Sequence, residues 1–249
     1  CKWRDDGTLL RIFQELNADA DYENLCIDST SIKAHPQSAG AKKGLKFENN
    51  QFIGTSRGGK TTKIHAIVDA LGNPVHFLLT GGNIFDASAA VDLLSEVNIS
   101  GSNILGDKAY GTNSIRAYIT EQGASYTIPP KSNVIEPWFC DFHTYKKRHL
   151  IECFFNKLKV FRRVATRYDK LAVSFLAFVH LASIWILLKN TKILRFQIRS
   201  NKEPRAVGPL QSALRAASFP QGKLLEGAEA GAIQRGTIET ATLRVGRFV

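Results

Sequence analysis

Three acidic residues are the first candidates for chemistry in this 249-residue chain: Asp28, Asp107 and Glu152. Asp28 closes the apolar run Leu25-Cys26-Ile27 and opens onto Ser29-Thr30-Ser31, while Asp107 closes Asn103-Ile104-Leu105-Gly106 in the same manner. An acid at a strand end is usually a turn or cap residue, so each alone says little. Brought together in a half-buried cleft, two carboxylates repel each other unless a cation or a proton lies between them. Their hard oxygens favour Mg²⁺ or Mn²⁺ over zinc.

Glu152 stands in a basic helix. Tyr145, Arg148, Glu152, Asn156, Lys159 and Arg163 follow one another at spacings of 3, 4, 4, 3 and 4, which makes one polar stripe on a helix expected over about 145–165. Ile151, Phe154, Phe155, Leu158 and Phe161 make its apolar face. Residues 145–170 carry nine Lys or Arg against Glu152 and Asp169. Such a run is ordinarily a solvated face. A lone acid centred in it also suits a third metal ligand, with Arg148 one turn before and Lys159 two turns after it gripping phosphates.

One motif points elsewhere. Gly54-Thr55-Ser56-Arg57-Gly58-Gly59-Lys60-Thr61 satisfies G-x-x-x-x-G-K-[ST], the phosphate-cradling loop of nucleotide hydrolases. That loop needs a helix after it, because the helix amino terminus supplies amides and field. Here the following residues alternate as a strand, so the expectation is a basic hairpin entry whose Arg57 and Lys60 touch a DNA backbone. Nucleotide binding stays as the minor alternative.

The elements that must position these residues can be read from periodicity. Leu9, Ile12, Phe13 and Leu16 predict a helix over 5–17. A buried strand runs through Leu25–Asp28, and 35–60 is a loop. Thr62–Val68 and Val75–Leu79 alternate about a Gly-Asn-Pro turn as a hairpin. Asp86 is the expected N-cap of a helix to Val97. Asn103–Asp107 is a strand, Thr112–Gln122 a helix and Ser125–Ile128 a strand, followed by helices at 145–165 and 170–196.

The order β, β-β, α, β, α, β, α, α predicts an α/β fold: a mixed five-stranded sheet flanked by helices, compatible with the ribonuclease H-like architecture. There the first strand and the strand after the first helix lie side by side and parallel, so Asp28 and Asp107 meet at their carboxyl ends.

The charge of +11 and pI near 9.6 favour nucleic acid as partner ahead of an acidic membrane surface. Residues 171–188 reach the short edge of a membrane span but carry His180, Ser174 and Ser183, which reads better as a buried helix. The four cysteines show no C-x-x-C spacing, so reduced thiols in a cytosol are expected. The chain has no Met and begins at Cys1, which suggests a piece of something longer. The expected domains are a remnant of a helical amino-terminal region (1–21), a catalytic domain (22–198) and a loosely structured basic tail (199–249).

Tyr145-x2-Arg148-x3-Glu152-x6-Lys159 matches, position for position, the Y-(2)-R-(3)-E-(6)-K signature of bacterial insertion-sequence transposases. With Cys26-Ile27-Asp28-Ser29-Thr30, Gly106-Asp107-Lys108-Ala109-Tyr110 and Ser56–Ala66, the chain resembles, over about 2–190, the DDE transposases of the insertion-sequence "five" group. The resemblance implies that Asp28, Asp107 and Glu152 are catalytic and hold two divalent ions, Mg²⁺ or Mn²⁺. It implies cleavage of transposon ends and strand transfer to target DNA by a homodimer in a synaptic complex, without nucleotide, in the cytoplasm at the bacterial nucleoid. Tyr145, Arg148, Lys159, Arg163, Arg57 and Lys60 become the expected DNA contacts. Such proteins usually carry a helical DNA-binding region before the first Asp, and only 27 residues precede Asp28. A catalytically dead, DNA-binding remnant is therefore the alternative.

Overall fold

The computed structural model describes residues 2–38 and 51–190. All of these residues fall within one compact unit. The expected tail, the end of the last helix beyond Asn190 and most of the loop at 39–50 lie outside the described residues.

Two short helices open the fold, α1 (Lys2–Asp5) and α2 (Thr8–Leu16), in place of one over 5–17. Gly7, in the left-handed region at φ +73°, makes the break. Then follow β1 (Asn24–Ala34), β2 (Gly54–Ser56), β3 (Gly59–Val68), β4 (Pro74–Gly81), α3 (Ala90–Ser95), β5 (Asn103–Leu105), α4 (Asn113–Glu121) and β6 (Ser125–Thr127). Next come α5 (Phe142–Tyr145), a 3₁₀ turn (Lys146–Arg148), α6 (His149–Lys159), α7 (Arg162–Ala165), β7 (Thr166–Arg167) and α8 (Ala172–Asn190).

The five expected strands lie in the order β4-β3-β1-β5-β6, with β3 antiparallel to its neighbours and β1, β5 and β6 mutually parallel. Two short pairings extend the sheet to seven strands: β2 on the start of β3 and β7 on the end of β1.

Period-two alternation sends successive side chains to opposite faces of this sheet. From β1 and β3, Cys26, Ile32, Ile64, Ala66 and Val68 join α2, α6 and α8 in one core, with Phe13, Phe154, Phe155, Phe175 and Val179. Leu25, Ile27 and Ile67 join α3 and α4 in the other, with Leu93, Leu94, Ile115 and Ile119. Asp28 has the parity of Cys26 and so belongs to the α6 face, whereas Ser29 has the parity of Ile27 and belongs to the α3 face.

The 19-residue α8 is apolar enough to cross a membrane, and half of it is buried within the fold. It packs on α2, β4, α6 and α7 as a core helix. The cysteines Cys26, Cys140 and Cys153 are free thiols.

Candidate active site

In the parallel β1–β5 pair Cys26 stands opposite Leu105, so two residues further on Asp28 stands level with Asp107. β5 ends just before Asp107, but β1, expected to end at Asp28, runs on to Ala34 because Ser29–Lys33 stay paired with β3, so Asp28 lies mid-strand. Gly106 allows this approach, since a Cβ there would lie 3.3 Å from Ile27 and from Tyr110. Asp107 turns its side chain onto the following 3₁₀ turn, accepting from the Ala109 amide at 2.8 Å.

The third acid comes from α6. Burial of Ile151, Phe154, Phe155 and Leu158 seats that helix on the sheet, each side chain worth about 1.5–3 kcal/mol. Phe154 stacks on Phe77 of β4 at 5.9 Å between ring centroids. The 3₁₀ turn before α6 is tied to β1 directly, with the buried Cys26 thiol donating to the Lys147 carbonyl at 3.6 Å. The next residue is Arg148, whose Nη1 donates to Asp28 Oδ2 at 2.9 Å and whose Nη2 donates to Glu152 Oε1. One guanidinium fork thus joins two carboxylates that lie 124 residues apart in sequence.

Electrostatics explains why a cation sits there. Burial pushes the Asp28 carboxyl above its usual range, and the charges of Asp107 and Asp86 add to the push. The Ser29 amide, donating to Asp28 Oδ1 at 2.7 Å, and Arg148 work against it. Among the described residues no three Cys, His, Asp or Glu side chains stand close enough together to hold one metal ion. Of the three acids expected to share ions, Asp28 and Glu152 share a guanidinium instead, while Asp107 accepts from the Ala109 amide. Their donor set still fits a hard divalent cation, since every available ligand is a carboxylate oxygen and Arg148 already supplies positive charge between two of them. Tyr110 lies in the same field. Its side chain is 1% exposed and lies against Ser29, and Asp28, Asp86 and Asp107 all act on it.

The polar stripe is only partly kept. Tyr145, Arg148, Glu152 and Lys159 follow one helical run, with the Arg148 guanidinium carbon 5.9 Å from the Tyr145 ring centroid. The helix expected to 165 instead breaks at Val160–Phe161, so Arg163 falls on α7. It pairs with Asp169 at 3.0 Å and stacks on Phe178 at 4.3 Å. Arg57 and Lys60 are exposed in the β2–β3 hairpin, where Gly59 takes φ +90°. No helix follows the G-x-x-x-x-G-K-T sequence, which removes the phosphate cradle it spells.

Two contributors have roles other than those expected. Asp86 was expected to cap a helix, but Phe85 holds the cap position of a 3₁₀ turn (Asp86–Ala89), with α3 beginning at Ala90. Its carboxylate accepts instead from Ser29 Oγ at 2.6 Å and Lys63 Nζ at 2.9 Å. Arg148 was read as a phosphate ligand and is, in this structure, a carboxylate ligand. A hydroxyl next to Asp28 was the one hint of the former; for the latter the i,i+4 spacing to Glu152 was visible from the start.

Residues 19–136 match the family model described as the transposase DDE domain. A protein of Brucella ovis described as a transposase for insertion sequence element IS6501 is 40% identical over 132 residues, which make up 52% of this chain and 99% of that protein. Among solved structures, a piggyBac transposase synaptic complex with hairpin DNA gives a TM-score of 0.44 at 9% identity, over 81% of this chain and 58% of that one. A simian T-cell lymphotropic virus intasome in complex with a PP2A regulatory subunit gives 0.41 at 13% identity, over 76% and 59%. This chain spans about three fifths of the length of either solved chain. On the matched domain and the Brucella relative, the chain belongs to the DDE transposases of insertion sequences, a family of DNA-cleaving and strand-transferring enzymes that use divalent metal ions.

Proposed function

We propose that this chain cleaves phosphodiester bonds at the ends of a transposable element and transfers the released strand to target DNA. Asp28, Asp107 and Glu152 are then the catalytic carboxylates. The observation that carries this reading is the joining of Asp28 and Glu152 through one guanidinium, with Asp107 level with Asp28 just past the end of β5. Two Mg²⁺ or Mn²⁺ ions, when bound, supply Lewis-acid activation of the attacking oxygen and charge for the leaving 3′ oxygen.

The chain's own residues do the rest. The three carboxylates offer ligand oxygens and fix the scissile phosphate by fixing the positive charge around it. Arg148, once released from Asp28 and Glu152, is long enough to pass to a DNA phosphate, with Tyr145 and Lys159 on the same helical run. Lys60 lies about 20 Å further along β1 than Asp28 and Arg57 further still, a reach suited to a second stretch of the same duplex backbone. Cleavage and joining exchange one phosphodiester for another, so no nucleotide is consumed. Two element ends call for two copies, hence a homodimer on paired ends.

The test is cleavage of candidate element ends by the full chain with Mg²⁺ or Mn²⁺. Asp28→Asn and Glu152→Gln should each remove cleavage, at least a hundredfold, and leave DNA affinity within about threefold. A variant cutting at the wild-type rate would remove its residue from the mechanism. Affinity without any cleavage by the wild type would favour the inert remnant.

A further inference from the structure

We propose that Asp86, acting through Ser29 and with Lys63, is a positioning residue for the carboxylate site, holding Asp28 from the sheet face opposite Glu152. This rests on the function proposed above.

Asp86 belongs to the 3₁₀ turn that follows β4, on the α3 side of the sheet. A carboxylate at the start of a helical turn normally serves the turn's own amides. This one is turned instead to side chains of the sheet. Its Oδ1 receives the Ser29 hydroxyl at 2.6 Å and the Lys63 ammonium at 2.9 Å. Lys63 also donates to the Ile84 carbonyl at 2.7 Å, so the whole 84–86 segment is clipped to β3.

Ser29 is the coupling element. Its amide donates to Asp28 Oδ1 at 2.7 Å while its hydroxyl donates to Asp86. Alternation along β1 sends the two neighbouring side chains to opposite faces, Asp28 toward α6 and Ser29 toward α3. Asp28 is therefore gripped on its own face by Arg148 and, through its neighbour, from behind by Asp86. A fourth acid beside Asp28 and Asp107 adds repulsion, which its pairing with the mostly buried Lys63 offsets. The arrangement is that of an outer partner orienting a ligand, where loss typically costs ten- to a hundredfold in metal affinity or activity.

The experiment measures Mn²⁺ affinity of the full chain without DNA, by electron paramagnetic resonance, alongside kcat and KM for end cleavage and the melting temperature. Asp86→Ala should weaken Mn²⁺ binding about tenfold and lower kcat by a similar factor, with KM for DNA unchanged. Asp86→Asn, which keeps an acceptor oxygen for Ser29 and Lys63, should return both to within about threefold. Ser29→Ala should resemble Asp86→Ala, and the double variant should be no worse than either alone. Wild-type Mn²⁺ affinity in Asp86→Ala overturns the proposal. So does a loss that Asp86→Asn fails to restore, or one that follows melting temperature across the series. Asp28→Asn run beside them separates the two readings. If it abolishes Mn²⁺ binding while Asp86→Ala does not weaken it, Asp86 alone is wrong. If it leaves Mn²⁺ binding unchanged, the carboxylate site itself falls.

Discussion

Arg148 is the residue on which the site turns. Its guanidinium, with the side chain 19% exposed, pairs with Asp28 and Glu152 at once and leaves the trio one negative charge in excess. The arm to Asp28, whose side chain is 23% exposed, is screened less than a surface ion pair, whereas the arm to Glu152, 52% exposed, is such a pair and typically contributes under about 1 kcal/mol. Any divalent ion entering between those two carboxylates has to displace it, so guanidinium and metal compete for the same oxygens. Arg148→Ala should accordingly bind Mn²⁺ about tenfold more tightly in the absence of DNA, the equivalent of roughly 1.4 kcal/mol. Calorimetric titration reads this directly. A weaker affinity in the variant would mean that the guanidinium helps to build the site, not that it competes for it. The same substitution should slow cleavage, because the arginine freed by metal would no longer be available to a phosphate.

At the scale of elements, α6 decides what the basic stretch can do. Its apolar residues fasten it to the sheet, which turns Arg148 and Glu152 toward Asp28 and leaves Lys159 exposed at its last turn. The break at Val160–Phe161 separates Arg163 from that row and gives it Asp169 as a partner. Charge on a helix counts toward DNA only if it is both free and aligned. Lys159→Ala should therefore reduce the slope of log affinity against log salt by about one unit, weakening all sequences alike. Arg163→Ala should change it by clearly less, since its charge is already met by Asp169. Equal slopes for wild type and Lys159→Ala would return Lys159 to an ordinary solvated position.

Across the whole molecule, the sheet buries groups whose titration links stability to pH. His65, 0% exposed, contacts Thr80 Oγ1 through Nε2 at 2.8 Å and leaves Nδ1 without a partner. Burial drives its pKa down to about 4 from 6.5. Below pH 6.5 the unfolded chain takes up a proton that the folded chain refuses until about pH 4, so stability falls as pH drops through that window. Urea unfolding at pH 7.5 and pH 5 should show the wild type losing about 2 kcal/mol more than His65→Gln. Parallel losses in both would mean that the imidazole is not the group responsible. Much of this molecule was already written in one dimension. The apolar run that opens β1, the alternation of β3 and β4, the helix near Thr112–Gln122 and the apolar face of α6 are local patterns, set by backbone period and hydrophobic spacing, and the three acids with Arg148 stood at legible intervals. The hairpin reading of Gly54–Thr61 was legible too, because a phosphate cradle requires a helix and the next residues alternate. What the linear order could not supply is proximity between faces. Ser29 reaches Asp86, 57 residues away, and Arg148 reaches Asp28, 120 residues away, only after β1 has been sandwiched between two helical layers. Side-chain direction follows from local period, but the partner that each direction meets is settled by how the layers close on the sheet.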